Sequence, residues 1–164
     1  DEGVQEEFVC CNDIVFSTGE ACQRIIFINS QMSYEAGNMR RPTVYISNRE
    51  EILSTVRPTL ARSNSRPLGD AFEVLSTQQW LSEAALWTTW ENCGTLKALQ
   101  DACFHILSVE QLLKTVMLYE QVRLDTSVYA KTFVSILNES SPSDLSTRID
   151  SHKVWETVSR GERS

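Results

Sequence analysis

At 164 residues, with 41% hydrophobic and 23% charged content, the chain is long enough to bury about two thirds of the surface that its unfolded form exposes, and it is too apolar for intrinsic disorder. A formal charge of −7 argues against binding to nucleic acid or anionic lipid, which are held by many Lys and Arg contacts to phosphate. No apolar run reaches the ~18 to 20 residues of a spanning helix, so no membrane insertion is expected, and the first seven residues lack the basic and apolar parts of a signal peptide.

Phe8-Val9-Cys10-Cys11 and Ile14-Val15-Phe16 flank the turn-prone Asn12-Asp13, and Arg24-Ile25-Ile26-Phe27-Ile28 follows Ser17-Thr18-Gly19-Glu20. β-Branched and aromatic runs set between turn residues read as strands. Thr43-Val44-Tyr45-Ile46 is a further run entered through Pro42, and the polar stretch 29–41 before it reads as a loop. Ser47, Asn48, Glu50 and Glu51 open a short helix over 48–56, because capping oxygens satisfy orphan amides and acids favour the first turn. Residues 57–69, with Pro58, Pro67 and Gly69 and no apolar period, read as an exposed loop.

From Ser76 the period changes. Ser76-Thr77-Gln78-Gln79 forms a capping box before Trp80, Ala84 and Trp87 on one helical face, and Gly94 stands where that helix should end. Thr95 opens a second helix to Leu107, with Leu99, Cys103 and Ile106 at helical spacing. Ser108-Val109-Glu110-Gln111 caps a third, which carries Leu112, Leu113, Val116 and Met117 and reaches Leu124. Thr126 or Ser127 caps a fourth, striped by Tyr129, Phe133, Ile136 and Leu137, and a fifth follows Ser141-Pro142-Ser143-Asp144 through Leu145, Ile149, Val154 and Trp155. Strands first and helices afterwards predict an α+β fold: an N-terminal antiparallel sheet of three or four short strands packed on a C-terminal bundle of four or five helices. The expected layout is a single domain over 1–164, with a β-rich part 8–47, the helix 48–56, the loop 57–69 and a helical part 76–160.

Catalytic signatures are scarce. The stretch Ser17-Thr18-Gly19-Glu20-Ala21-Cys22 lacks the second glycine and the lysine of a phosphate loop. Cys103-Phe104-His105 offers a thiol and an imidazole, but on a helix residues two apart point to different faces. Cys10-Cys11 with Cys22 has no paired zinc spacing, so neither metal nor cofactor is expected. Cys10, Cys11, Cys22, Cys93 and Cys103 are an odd number in a chain that does not need staples. They read as free thiols of an intracellular protein, cytoplasmic or nuclear. A secreted or surface-associated binding protein with disulfides is the alternative, toward which the glycosylation pattern Asn138-Glu139-Ser140 leans.

Charge is segregated: between residues 40 and 66 six arginines face only Glu50 and Glu51, a net +4 on an otherwise acidic chain. Arg40, Arg41 and Arg57 are therefore candidates to meet a partner protein with an acidic surface. Trp80 and Trp87 share a helical face, and Trp90 is turned by about 60° from Trp87 at ~100° per residue, which makes it a candidate anchor at a rim. Arg62-Ser63-Asn64-Ser65-Arg66-Pro67 resembles the R-S-x-pS-x-P motif that 14-3-3 proteins recognise once its second serine is phosphorylated. That resemblance, six residues long, implies Ser65, with Ser63 beside it, as phosphorylation candidates and a 14-3-3 protein as partner, with the phosphate held by the partner's arginines. The missing catalytic constellation and the segregated charge together point to a non-catalytic protein-interaction or scaffolding domain regulated through the 62–67 loop. An enzyme whose site assembles only in space stands as a further alternative.

Overall fold

The computed structural model describes residues 3–37, 72–149 and 151–161. Arg40, Arg41, Arg57, Ser63, Ser65, the 62–67 motif, the run Thr43-Val44-Tyr45-Ile46, the helix 48–56 and the loop 57–69 lie outside the described residues.

The front of the chain supplies β1 (Val4–Val9), β2 (Ile14–Phe16), β3 (Ala21–Cys22), β4 (Arg24–Ile28) and β5 (Met32–Ala36). Asn12, at φ 74°, and Gly19, at φ 85°, take the left-handed conformation that the first tight turns require. Then come β6 (Phe72–Leu75), β7 (Trp80–Leu81), the single turn α1 (Ala84–Trp87), β8 (Trp90–Glu91), β9 (Gly94–Ala98) and β10 (Ala102–Ser108). The helices α2 (Val109–Met117), α3 (Glu120–Glu139) and α4 (Ser151–Gly161) close the chain, with a 3-10 turn, Ser146–Arg148, ahead of α4.

All the strand pairs are antiparallel. One sheet runs β1-β10-β4-β7, a second β2-β9-β5-β6, and β3 pairs with β8. The two larger sheets close a roll on a buried apolar core that includes Phe16, Ile26, Met32, Tyr34, Leu81, Leu96, Phe104 and Ile106. A second cluster, with Trp87, Trp90, Tyr129, Phe133, Leu137 and Val154, joins α1 and the back of the roll to α3 and α4. The coarse expectation of antiparallel sheet in front and helices behind is what the chain adopts.

The finer expectation is corrected at four places, and the three or four short strands expected are ten among the described residues. Residues 29–41, read as a loop, contain β5, whose Met32 and Tyr34 face inward while Ser33 stands half-exposed. The two helices expected over 80–107 are mainly strand. In β10, Ala102, Phe104 and Ile106 are buried and alternate with half-buried Cys103, His105 and Leu107. That period of two, with ladder partners on both flanks in β1 and β4, outweighs the helical spacing of Leu99, Cys103 and Ile106. The box at Ser76 closes a turn instead of a helix: Gln79 Oε1 accepts from Ser76 N at 2.9 Å, and Gln78 sits at φ 71°. Ser108 does cap α2, its hydroxyl accepting from Gln111 N. The next joint falls at Leu118 and Tyr119, where the turn tightens, so Thr126 and Ser127 lie inside α3.

Candidate functional site

The turn between β8 and β9 faces the segment that connects α3 to the 3-10 turn, and Asp144 fills the space between them at 1% exposure. Its Oδ2 accepts from Cys93 N (2.8 Å), Gly94 N (2.9 Å) and the Tyr34 hydroxyl (2.8 Å). Its Oδ1 accepts from Trp90 Nε1 at 2.7 Å. Two backbone amides and two aromatic donors thus converge on one carboxylate, a nest that holds an anion by dipoles.

Backbone geometry builds this nest. Gly94 begins β9 opposite Ala36, beside the Tyr34 that β5 points inward. A Cβ at Gly94 would come within 2.5 Å of Glu35 O and of the Tyr34 hydroxyl, so glycine is what permits the close approach. From the other side, Ser82 N donates to Asp144 O at 2.7 Å, and Leu81 and Leu145 form an antiparallel bridge. Ser82 is left-handed at φ 65°, a conformation that costs a non-glycine residue about 1 kcal/mol, and it is 1% exposed.

Next to Ser82, Glu83 makes a second junction. Its Oε2 accepts from Trp80 Nε1 at 2.9 Å and its Oε1 from the Tyr129 hydroxyl at 2.8 Å, which ties α1 to α3. Tyr129 also packs against Trp87 and Trp155, with ring centroids 5.6 and 5.0 Å apart.

Burial pushes the Asp144 carboxyl above its ordinary value, against the pull of its donors Trp90, Cys93, Tyr34 and Gly94. Burial, and then the adjacent Asp144, push the Tyr34 phenol and the Cys93 thiol far upward. Both therefore stay protonated at neutral pH: Tyr34 remains a donor, and Cys93 is no thiolate nucleophile. The remaining space beside Asp144 and Leu145 is about 10 Å³, lined by Glu83, Ala84, Phe133, Ser143, Ser146 and Ile149, and it holds one water at most.

Of the candidates for partner binding and phosphorylation, Trp90 is the one described, and its place at a rim is corrected. It is 1% exposed and serves the Asp144 nest instead of a rim, because Trp90 and Trp87 belong to different elements and a helical wheel does not relate them. Cys103 and His105 share a face after all, as strand residues two apart do, but His105 Nδ1 is engaged by Asn29 Nδ2 at 2.7 Å. Cys10, Cys11, Cys22, Cys93 and Cys103 carry no disulfide. Among the described residues no cluster of His, Cys, Asp or Glu is placed to hold a metal, and no helix is long and apolar enough to cross a membrane.

Asp144, Tyr34, Gly94 and Glu83 belong to no local motif that would mark them as a site. Once Trp90 is inside, its N–H demands a buried acceptor, and that demand is the signal that leads to Asp144.

No protein-family model matches the sequence, and no curated protein matches it. Solved structures do match the fold. The N-terminal domain of a transcriptional regulator from Streptomyces coelicolor A3(2) is similar with a TM-score of 0.51 and 13% identity, over 86% of this chain and 82% of that one. The C-linker/CNBHD of zELK channels, crystallized in the presence of cAMP, is similar with a TM-score of 0.51 and 15% identity, over 90% of this chain. The chain spans 55% of that zELK chain's length. The shared feature is the fold, a roll of antiparallel strands with helices behind it. This likeness overturns the scaffolding reading, which rested on absent catalytic motifs and on arginines outside the described residues.

Proposed function

We propose that the chain is a non-catalytic regulatory domain of the cyclic-nucleotide-binding kind, in which an anionic ligand in the roll is coupled to the position of the helices. The observation that carries this reading is the preformed nest at Tyr34, Trp90, Cys93 and Gly94, buried and aimed at a single anion. A cyclic nucleotide presents one phosphodiester charge, the kind of group that backbone amides and neutral donors hold without a cation. The fold likeness supports the ligand class. The Glu83 link to Tyr129 of α3, one residue from Ser82 and its bond to Asp144, supports the coupling. Five unbridged cysteines fit an intracellular setting.

Tryptophan emission tests the reading, because Trp90 touches the nest and Trp80 touches Glu83. Titration with cyclic AMP or cyclic GMP is expected to change the emission saturably, while the open-chain 5′ monophosphate has a weaker effect. A flat response to both cyclic nucleotides up to millimolar concentration overturns it.

A further inference from the structure

We infer that Asp144 is the resident occupant of an anion socket, and that the segment around it, residues 143–146, is a strap that an external phosphodiester must displace. The identity of that external ligand rests on the functional reading above, whereas the occupied socket stands on geometry alone.

Every donor in the socket is already spent on the Asp144 carboxylate, at 2.7 to 2.9 Å. Behind it, space of about 10 Å³ remains, against the roughly 300 Å³ or more of an ordinary small-molecule site. A phosphodiester that takes these donors therefore has to replace Asp144. The strap is built for replacement. Beyond the four bonds to the Asp144 carboxylate, its grip on the roll is the backbone bridge of Leu145 to Leu81, which includes the bond from Ser82 N to Asp144 O, and the buried Leu145 side chain. The Leu145 amide turns back on Ser143 Oγ of its own segment. A phosphodiester stays charged at any physiological pH and presents its oxygens to the same donors, so it can take the place of the carboxylate. When the strap leaves, its connection moves the end of α3 and the start of α4, which flank it in the chain. The apparent affinity for ligand is then the intrinsic affinity scaled by the fraction of molecules with the strap open.

Asp144→Ala empties the socket. Its melting temperature is expected to rise saturably with sodium acetate or inorganic phosphate, relative to chloride at matched ionic strength, while the wild type, whose own carboxylate is in place, shows only the non-saturating rise that an excluded salt gives a folded protein. Equal responses of the two proteins overturn the inference. Should Asp144→Ala not fold, Leu145→Ala reads the same device by amide exchange. Cys93 and Gly94 are expected to exchange about tenfold faster than in the wild type with Ile26 unchanged, and unaltered exchange at 93 and 94 overturns it. Cyclic AMP forms a separate arm. Binding about tenfold tighter by Leu145→Ala than by the wild type supports displacement, and equal affinity counts against it. Absence of binding by both ends the functional reading, and the acetate and exchange results then decide the socket alone.

Discussion

Asp144 and Glu83 are both acceptors at the seam between roll and helices, but Asp144 takes two of its four side-chain bonds from backbone amides while Glu83 takes both of its bonds from side chains. The amides of Cys93 and Gly94 are fixed where β9 starts and pairs with β5, so they lose no rotamer freedom in holding an anion. Trp80 and Tyr129 reach Glu83 through side-chain torsions, whose fixing costs entropy. The difference separates two jobs: a socket that is rigid before anything enters it, and a link to α3 that can be made or broken.

Asp144→Ala is expected to have the largest effect. It leaves four buried donors without an acceptor, at a cost of about 3–5 kcal/mol in urea or thermal denaturation. A loss under about 1 kcal/mol would mean that the donors find water easily and the socket is not closed. Gly94→Ala comes next, at about 1–3 kcal/mol, because its Cβ drives against Glu35 O and the Tyr34 ring. The same measurement on Gly3→Ala, where nothing lies within 4 Å, is expected to show no comparable loss. Glu83→Gln is the smallest at about 1 kcal/mol, since a half-buried amide still accepts one of the two bonds. A double-mutant cycle with Tyr129→Phe is expected to show the two substitutions coupled. A Glu83→Gln cost equal to that of Asp144→Ala would erase the contrast.

Some of this was legible in the sequence for local reasons. The strands at Ile14–Phe16 and Arg24–Ile28, the cap at Ser108, and the stripe of Tyr129, Phe133 and Leu137 are each specified by neighbours within a few residues. The stretch 80–108 misleads because Trp80, Ala84 and Trp87 meet a helical template while belonging to a strand and a single turn, β7 and α1. What decides it is pairing with β4 and β3, whose residues lie far earlier in the chain. Asp144 reads locally as a helix opener after Pro142, and nothing near it hints at a carboxylate inside a roll. Short motifs could not find the site because its members are joined only by the ladder between β5 and β9 and by the strap.

Sequence separation at the socket also sets an order of events. Tyr34 lies 110 positions before Asp144, and Trp90, Cys93 and Gly94 lie 54, 51 and 50 positions before it. As the polypeptide emerges from the ribosome, the roll and α3 are complete before the residue that satisfies their polar interior is made. Closing so long a loop is slow, so the nascent roll passes through an interval with its amides turned toward water or toward any anion at hand.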